Sequence, residues 1–393
     1  MNPGDKRVAL ERWLDIAVAA VDPEALTADA LSDSEDGPTV IIAIGKAAAG
    51  MCRGAHRALG PVSGVCVTNA PGTVPDGIDL LIGDHPIPGD ASFEAGKRVL
   101  EVARAVSSRC VALISGGGSA LCEQPVPGVD QSYLQEVNAL LLDGGASIEE
   151  TNLVRRHLSA IKCGGVARAV RGPLETYVVS DVGGAEPGVV ASGPTIPTSA
   201  DPTAVKALMR QFGIPIPEAV WDAINQRLPH ALSPPNVTVL ADGKVAARAV
   251  ADAAQKDGFK CRVNEGWIAG PIETALEKFF AQSGPGVTVG VGEPTVDVRG
   301  NGAGGRNSHA ALLASTRLDG HEGLFASFAT DGIDGRTKSA GAIVDGATVD
   351  RGGDPENSLR NFDSATYLNG TGDLIRTGPT GTNVADLWVL WRS

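Results

Sequence analysis

Three charged residues of this chain each follow an apolar run, a position where α/β proteins often carry their chemistry. Lys46 comes after Thr39–Ile44 and Gly45, and Asp181 and Asp331 follow two further apolar runs. Short uncharged runs are typical of strands in a parallel sheet, and ligands bind at the carboxyl ends of such strands. Lysine neutralises phosphate oxygens, and aspartates hold magnesium beside phosphate. The pattern favours phosphoryl transfer with magnesium on Asp181 and Asp331; a solvent-facing lysine and turn-capping aspartates are the alternatives.

Glycine-rich segments accompany these residues. The densest is Val298–Ser308, a β-like run followed by a glycine loop that opens a helix at Arg306, and a second loop, Gly116–Ser119, follows the strand Cys110–Ser115. Glycine allows close approach of backbone N–H groups to a ligand, and a helix N-terminus attracts an anion. The residues that we expect to contact phosphate or substrate in these loops and in a turn near the C-terminus are Gly116, Gly117, Gly118, Ser119, Gly304, Gly305, Asn307, Thr380 and Asn383.

Two more cations and a histidine are candidates for substrate binding. Ser147 and Glu150 form a capping box for a helix that we expect to run towards Gly164. Arg155 and Lys162 fall on one face of that helix, beside its buried stripe. The face either binds a carboxylate or is simply solvated. His85 either touches substrate or has a structural role.

Known catalytic motifs fit the chain poorly. The Gly45–Gly50 segment lacks the order of a Walker A loop, and Ser119 does not stand in a nucleophile elbow. The spacing of Gly300, Gly302 and Gly305 formally matches a dinucleotide fingerprint. The stretch before it is polar for a central strand, so we interpret this loop as an anion loop.

Composition narrows the class of protein. The chain has 393 residues, more than a single core usually supports, and a net charge of -13. Acidity argues against a general binder of nucleic acid or anionic membranes. Six cysteines without metal-ligand spacing and the absence of an apolar run of about 20 residues favour a reduced, soluble, cytoplasmic protein.

Strand-like and helix-like segments alternate along the chain, which predicts an α/β fold. We expect a Rossmann-like doubly wound N-terminal domain over residues 1–232 and a second, smaller α/β domain over residues 236–393. The segment Pro229–Pro235 is interpreted as the linker between them.

Eight segments in order resemble the type 2 glycerate kinases, the family whose C-terminal part is called the MOFRL domain. The resemblance covers nearly the whole chain and rests on Gly45–Met51, Gly83–Pro88, Ile114–Leu121, Asn152–Lys162, Ser192–Thr195, Gly304–Asn307, Ala329–Gly335 and Thr377–Asn383.

The resemblance implies ATP-dependent phosphorylation of D-glycerate, or a related small hydroxy acid, at its 2-hydroxyl to give 2-phosphoglycerate, in a cleft between the two domains. It makes Lys46 and Arg306 the leading catalytic candidates, holding transferring phosphate charge with magnesium. We add Arg155 or Lys162 as partner of the substrate carboxylate, and Asp181 as the residue that orients the hydroxyl or the metal. A homodimer is left open.

Several positions depart from the family pattern and bear on which hydroxy acid is the substrate. They are Gly183–Glu186, Ala303, Ser308–His309 and Arg336–Lys338. One interpretation is that the substrate is a more anionic or larger hydroxy acid than glycerate. The alternative functions are an NAD(P)H-dependent hydroxypyruvate or tartronate-semialdehyde reductase and a binding protein without catalysis.

Overall fold

The computed structural model describes residues 3–34, 37–184, 187–197, 201–226 and 236–392. Its chain forms two compact units. The N-terminal unit comprises Pro23–Ser180 and Ala185–Leu240, and the smaller C-terminal unit comprises Met1–Asp22, Asp181–Gly184 and Ala241–Ser393. The predicted linker, Pro229–Pro235, lies wholly outside the described residues, so the limits 1–232 and 236–393 stay predictions.

A six-stranded sheet of order β3-β2-β1-β4-β5-β6 forms the centre of the N-terminal unit. Its first five strands pair in parallel, and the order is that of a doubly wound dinucleotide-binding fold. The Rossmann-like prediction is confirmed. The strands are β1 (Thr39–Ile44), β2 (Ser63–Thr68), β3 (Ile78–Ile82), β4 (Arg109–Ser115), β5 (Leu174–Val179) and β6 (Asn236–Ala241).

Helices cover this sheet, and Ile41–Ile44 of β1 are fully buried because both of its faces are packed. Glycine lets the helix of Gly54, α3 (Ala48–Leu59), approach the helix of Glu24, α2 (Pro23–Ala30), closely. A methyl group at Gly54 would lie 2.3 Å from the carbonyl oxygen of Glu24. The helices are α2 (Pro23–Ala30), α3 (Ala48–Leu59), α4 (Asp90–Ala105), α5 (Gly118–Leu121), α6 (Gln131–Asp143), α7 (Ile148–Leu158), α8 (Gly165–Ala169), α9 (Pro202–Gln211) and α10 (Glu218–Gln226), with a 3-10 turn at Pro187–Ser192.

The C-terminal unit contains a mixed sheet of order β11-β10-β9-β12-β8-β7. Only β7 and β8 pair in parallel; β12 runs antiparallel between β8 and β9. The strands are β7 (Cys261–Ile268), β8 (Gly286–Gly292), β9 (Gly323–Ala329), β10 (Gly341–Asp345), β11 (Leu374–Ile375) and β12 (Asp386–Arg392).

Aromatic side chains form much of the core of this unit. Phe279, Phe325 and Trp388 pack edge to face with ring centroids 5.6–6.4 Å apart. The first helix also belongs here, since buried Trp13 donates its indole N–H to Asp257 at 2.7 Å. The helices are α1 (Pro3–Ala20), α11 (Gly243–Lys256), α12 (Ile272–Gln282), α13 (Arg306–Leu318), α14 (Thr348–Gly352), α15 (Glu356–Arg360) and α16 (Ser364–Thr371).

Two element predictions were wrong. The helix expected to reach Gly164 ends at Leu158, because Ser159 adopts an extended conformation. The β-like run before Arg306 is not a strand: β8 ends at Gly292, and only Thr295 forms an isolated bridge. Within the described ranges, every helix is too short or too polar to cross a bilayer.

Candidate active site

Strand ends of the N-terminal unit bring Lys46 and the Gly116–Ser119 loop together. The amide of Lys46 donates to the carbonyl of Gly116 at 2.9 Å, and the amide of Ala47 donates to the hydroxyl of Ser115 at 3.0 Å. These bonds join the turn after β1 to the turn after β4, its parallel neighbour. The two turns therefore form one surface at the carboxyl edge of the sheet.

Gly117 is the centre of this surface. It has a φ of +81°, a left-handed conformation that favours glycine. A methyl group there would lie 3.1 Å from Cγ of Lys46 and 3.6 Å from Cδ2 of His85, so both side chains lie against it. Within the described residues, the amides of Gly117, Gly118 and Ser119 donate no hydrogen bond. Such open amides beside a lysine suit a phosphate.

The segment Ser192–Thr195 also lies at this surface, although sequence reasoning did not include it among the site residues. The hydroxyls of Ser192 and Ser119 are 3.1 Å apart. Ala191 and Ser192 have φ values of 51° and 61°, which side-chain-bearing residues rarely adopt and which cluster at functional sites. The Ser-Gly-Pro-Thr motif was the available signal.

The predicted Arg155–Lys162 stripe does not exist as a helical face, since Lys162 lies beyond the end of α7. Lys162 is completely buried and pairs with Glu123, which is also completely buried. Burial lowers the pKa of Lys162, against the charge of Glu123. Sequence reasoning missed Glu123; its only signal was a carboxylate within the apolar stretch after Gly118.

Arg155 lies on α7 and, unlike Lys162, forms no ion pair among the described residues. Burial lowers the pKa of its guanidinium, with the charge of Glu123 acting in the opposite direction. Its Nε is buried and has no hydrogen-bond partner among the described residues. Arg155 is thus an incompletely satisfied cation in the N-terminal unit.

Arg306 is the centre of a charged cluster in the C-terminal unit. The register of the mixed sheet places Asp386, the first residue of β12, opposite the last residues of β8 and β9. Nε and Nη2 of Arg306 donate to the two carboxylate oxygens of Asp386 at 2.5 and 3.2 Å, and Nη1 lies 2.8 Å from Glu293. Asp386 is 2% exposed at its side chain, whereas Glu293 is 48% exposed.

The pKa values in this cluster follow from burial and pairing. Burial raises the pKa of Asp386 to about 6, although the charge of Arg306 acts to lower it. Burial acts to lower the pKa of Arg306, but the charge and hydrogen bonds of Asp386 outweigh it and raise that pKa. The guanidinium stays charged, and the carboxyl of Asp386 is the group that takes up a proton in mild acid.

The glycine loop before Arg306 differs from the prediction, because several of its amides, and amides in the first turn of α13, are already bonded. The carboxylate of Asp334 accepts the amides of Asn307 and Ser308, each at 2.8 Å. The amide of Ala303 donates to Asp363 at 2.8 Å, and that of Gly305 to the hydroxyl of Ser308 at 2.9 Å. The anion at this helix N-terminus is the chain's own Asp334, which corrects the expectation of an open anion loop.

The glycines of this loop serve close packing. A methyl group at Gly302 would lie 2.4 Å from Cβ of Asp363, and one at Gly305 would lie 2.2 Å from the carboxylate of Asp334. Gly304 approaches Ser364 in the same way. Direct binding of phosphate by the amides of Asn307 or Ser308 would require Asp334 to leave.

Asp181, Asp331, Thr380 and Asn383 all belong to the C-terminal unit. The side-chain amide of Asn383 donates to the carboxylate of Asp181 at 3.4 Å. The hydroxyl of Thr380 donates to the carbonyl of Thr330 at 2.5 Å, and its amide donates to that of Asp331 at 3.2 Å. The turn that contains Thr380 and Asn383 thus runs beside both predicted magnesium ligands.

These carboxylates fit the needs of a nucleotide-bound magnesium ion. Magnesium in such sites takes one or two carboxylates and completes its shell with phosphate oxygens and water. Asp181 and Asp331 are both partly exposed. The described residues contain no group of three or more His, Cys, Asp or Glu side chains that could hold a metal by themselves.

Comparison with known proteins identifies the family. A family model described as a domain of unknown function (DUF4147) matches residues 9–225, and the MOFRL family model matches residues 286–386. The chain belongs to the MOFRL family of glycerate 2-kinase relatives. A D-glycerate 2-kinase of Thermotoga maritima is 35% identical, covering 97% of each chain. A putative hydroxypyruvate reductase of Agrobacterium vitis is also 35% identical, covering 98% of this chain and 94% of its own.

Solved structures agree with this assignment. The crystal structure of a glycerate kinase from Thermotoga maritima matches with a TM-score of 0.90 and 33% identity, covering 100% of each chain. A protein from Pyrococcus horikoshii matches with a TM-score of 0.82 and 31% identity over the same coverage. The resemblance inferred from the eight motifs and the two-domain α/β fold are confirmed.

Proposed function

We propose that this chain transfers a phosphoryl group from ATP to the 2-hydroxyl of D-glycerate, or of a related small hydroxy acid, giving 2-phosphoglycerate and ADP. The observation that carries the proposal is the surface formed by Lys46 and the open amides of Gly117–Ser119. The names of the Thermotoga maritima relative and of the Thermotoga maritima crystal structure, both glycerate kinases, agree with it. Such a surface stabilises phosphate charge without supplying a redox group.

Lys46 and the Gly116–Ser119 loop would hold phosphoryl oxygens as charge shifts towards the leaving group. The acceptor hydroxyl attacks the γ-phosphorus, the bond from that phosphorus to the ADP oxygen breaks, and the hydroxyl proton leaves to a base or to water. His85 lies close enough to Gly117 to contact the same ligand. Lysine serves here as a compact point charge.

Arg306 would act as the second cation of the reaction. Its bidentate bond to buried Asp386 fixes the guanidinium plane, while its partner Glu293 is half exposed. A phosphate would therefore replace Glu293 as the acceptor of Nη1 and leave the Asp386 contact intact. This arrangement orients a planar donor without consuming all of its N–H groups.

Asp181 and Asp331 are the residues that would hold magnesium, with Thr380 and Asn383 orienting their surroundings. When bound, magnesium neutralises nucleotide oxygens. The 2-position specificity, the cytoplasmic location and a homodimer stay predictions, as does the absence of nucleic-acid and membrane partners.

The reductase alternative is disfavoured by the structure of the Gly300–Gly305 loop. A dinucleotide fingerprint joins a strand directly to a helix and leaves the helix N-terminus open for pyrophosphate. Here the residues before the loop form no strand, and Asp334 occupies the helix N-terminus.

A coupled assay with purified protein tests the proposal. With ATP, magnesium and D-glycerate we expect ADP formation, and NMR of the product should show a phosphate ester at carbon 2. With NADH and hydroxypyruvate we expect no loss of reduced nicotinamide absorbance. Nicotinamide oxidation without any ADP formation would overturn the kinase assignment in favour of the reductase.

A further inference from the structure

Among the described residues of the N-terminal unit, Glu123 and Lys162 form the most deeply buried ion pair. Both side chains are 0% exposed, and the second oxygen of Glu123 accepts the amide of Gln124 at 2.9 Å. Buried charges are retained when paired and hydrogen-bonded. The ammonium of Lys162 is therefore engaged inside the protein.

This pair joins segments that build the phosphate surface. Glu123 follows α5, and its amide donates to the carbonyl of Ser92 at 3.0 Å. On the other side, the residue after Lys162 donates its amide to the carbonyl of Ser192 at 3.0 Å. Ser192 in turn contacts Ser119. Breaking the pair would loosen the glycine loop from two sides.

Arg155 adds a second cation to this neighbourhood. Its charge acts on Lys162, and the charge of Glu123 acts on both. Arg155 makes no ion pair among the described residues, and its Nε has no acceptor there. The carboxylate of Glu123 thus faces two cations, Arg155 and Lys162. One positive charge is left without a compensating negative charge in a partly buried part of the N-terminal unit.

We propose that Arg155 is the residue that binds the carboxylate of the hydroxy-acid substrate, while Lys162 and Glu123 are positioning residues that hold the Gly116–Ser119 loop. This inference rests on the proposed function and makes it more specific, because the sequence left Arg155 and Lys162 as equal candidates. An anion with planar oxygens suits the guanidinium fork of arginine.

Substitution of Arg155 tests the first part, with its neighbour as the matched control. For Arg155→Met we expect the KM for D-glycerate to rise roughly 10–100-fold, the range of a lost charge-assisted hydrogen bond. The KM for ATP should change less than about threefold, since the nucleotide is held elsewhere. Arg155→Lys should recover part of the loss. Arg156→Met is the control: the Nε of Arg156 is also buried without a partner among the described residues, but Arg156 is not among the charges that act on Lys162, so the KM for glycerate should stay unchanged.

Lys162 is tested by a pair of variants. Lys162→Met leaves a buried carboxylate unpaired, so we expect a lower melting temperature and a lower kcat. The double variant Glu123→Gln with Lys162→Met removes both charges and should recover most of both. Its KM for glycerate should stay within about threefold of the parent value, because no substrate contact is lost. A folded double variant with the raised KM expected for Arg155→Met would show that Lys162 binds the carboxylate and overturn the proposal.

Calorimetric titration of D-glycerate into the protein separates the two proposals. If the parent protein binds glycerate but forms no ADP, the kinase assignment fails while the role of Arg155 is still tested by loss of binding in Arg155→Met. An unchanged affinity or KM in Arg155→Met, or no binding of the hydroxy acid by the parent protein, would overturn the role of Arg155.

Discussion

The two glycine loops of this protein look alike in sequence and differ in structure. In Gly116–Ser119 the amides of three consecutive residues are unbonded within the described chain, and Lys46 lies against Gly117. In Gly300–Gly305 the amides of Gly302, Ala303 and Gly305 are bonded to nearby groups, and the glycines pack against the 361–364 segment and Asp334. A glycine-rich loop indicates that another group comes close to its backbone. Whether the approaching group is a ligand or the protein itself depends on acceptors distant in sequence.

Of the substitutions that test the difference between the two loops, the one at Lys46 should change kcat most. Removal of its charge in Lys46→Met should lower kcat roughly 10²–10³-fold, the range for loss of one preorganised donor to developing charge. Steady-state kinetics checks this, and Lys97→Met, an exposed lysine on α4, is the control. The melting temperature should hardly change. A Lys46→Met variant with more than about a tenth of the parent kcat would place the phosphate away from this loop.

The charged cluster beside the second loop should respond to pH. Burial raises the pKa of Asp386 to about 6, so the carboxyl takes up a proton as pH falls through that value and Arg306 loses its ionised acceptor. We expect kcat/KM to fall about tenfold per pH unit below the raised pKa. Nucleotide phosphate also titrates near pH 6, so Asp386→Asn is the reference, and the ratio of the two profiles isolates Asp386.

As pH falls, protonation of Asp386 should lower kcat/KM but raise the free energy of unfolding, so measuring both gives a stricter test. The folded pKa of Asp386 is raised above its ordinary value of 3.8. The folded state therefore binds the proton more tightly between that value and about 6, and the stabilisation from protonation is lost as pH rises through the folded pKa. Relative to Asp386→Asn, the parent protein should gain stability from pH 7 to pH 4.5. A pH-independent difference would contradict the raised pKa.

Sequence alone was sufficient where local patterns decide the structure. The bounds of β1 and the capping box at Ser147 follow from an apolar run and a local cap. The mixed order of the second sheet does not, since strand pairing is set by contacts far apart in sequence. The site shows the same division: the turn at Lys46 was predictable, whereas the burial of Lys162 depends on Glu123, 39 positions away.

A smaller effect is expected from Gly117→Ala. The methyl group would meet Cγ of Lys46 at 3.1 Å in a left-handed conformation that costs about 1–2 kcal/mol outside glycine. We expect kcat/KM to fall about tenfold as Lys46 shifts. Gly145→Ala is the matched control, because its φ is +71° and nothing lies within 4 Å of the added methyl. Equal activities of the two variants would show that Gly117 matters only for backbone strain.

The smallest effect concerns the capping of α13. Asp334 accepts Asn307 N–H with one carboxylate oxygen and Ser308 N–H with the other, so asparagine would turn an NH₂ group towards a buried amide. Asp334→Asn should cost about 1–2 kcal/mol of unfolding free energy in urea. Asp242 caps α11 with a single oxygen that accepts both Lys244 and Val245 amides, which asparagine reproduces. Asp242→Asn should therefore be nearly neutral, and equal losses in the two variants would mean that Asp334 does not act as a two-oxygen cap.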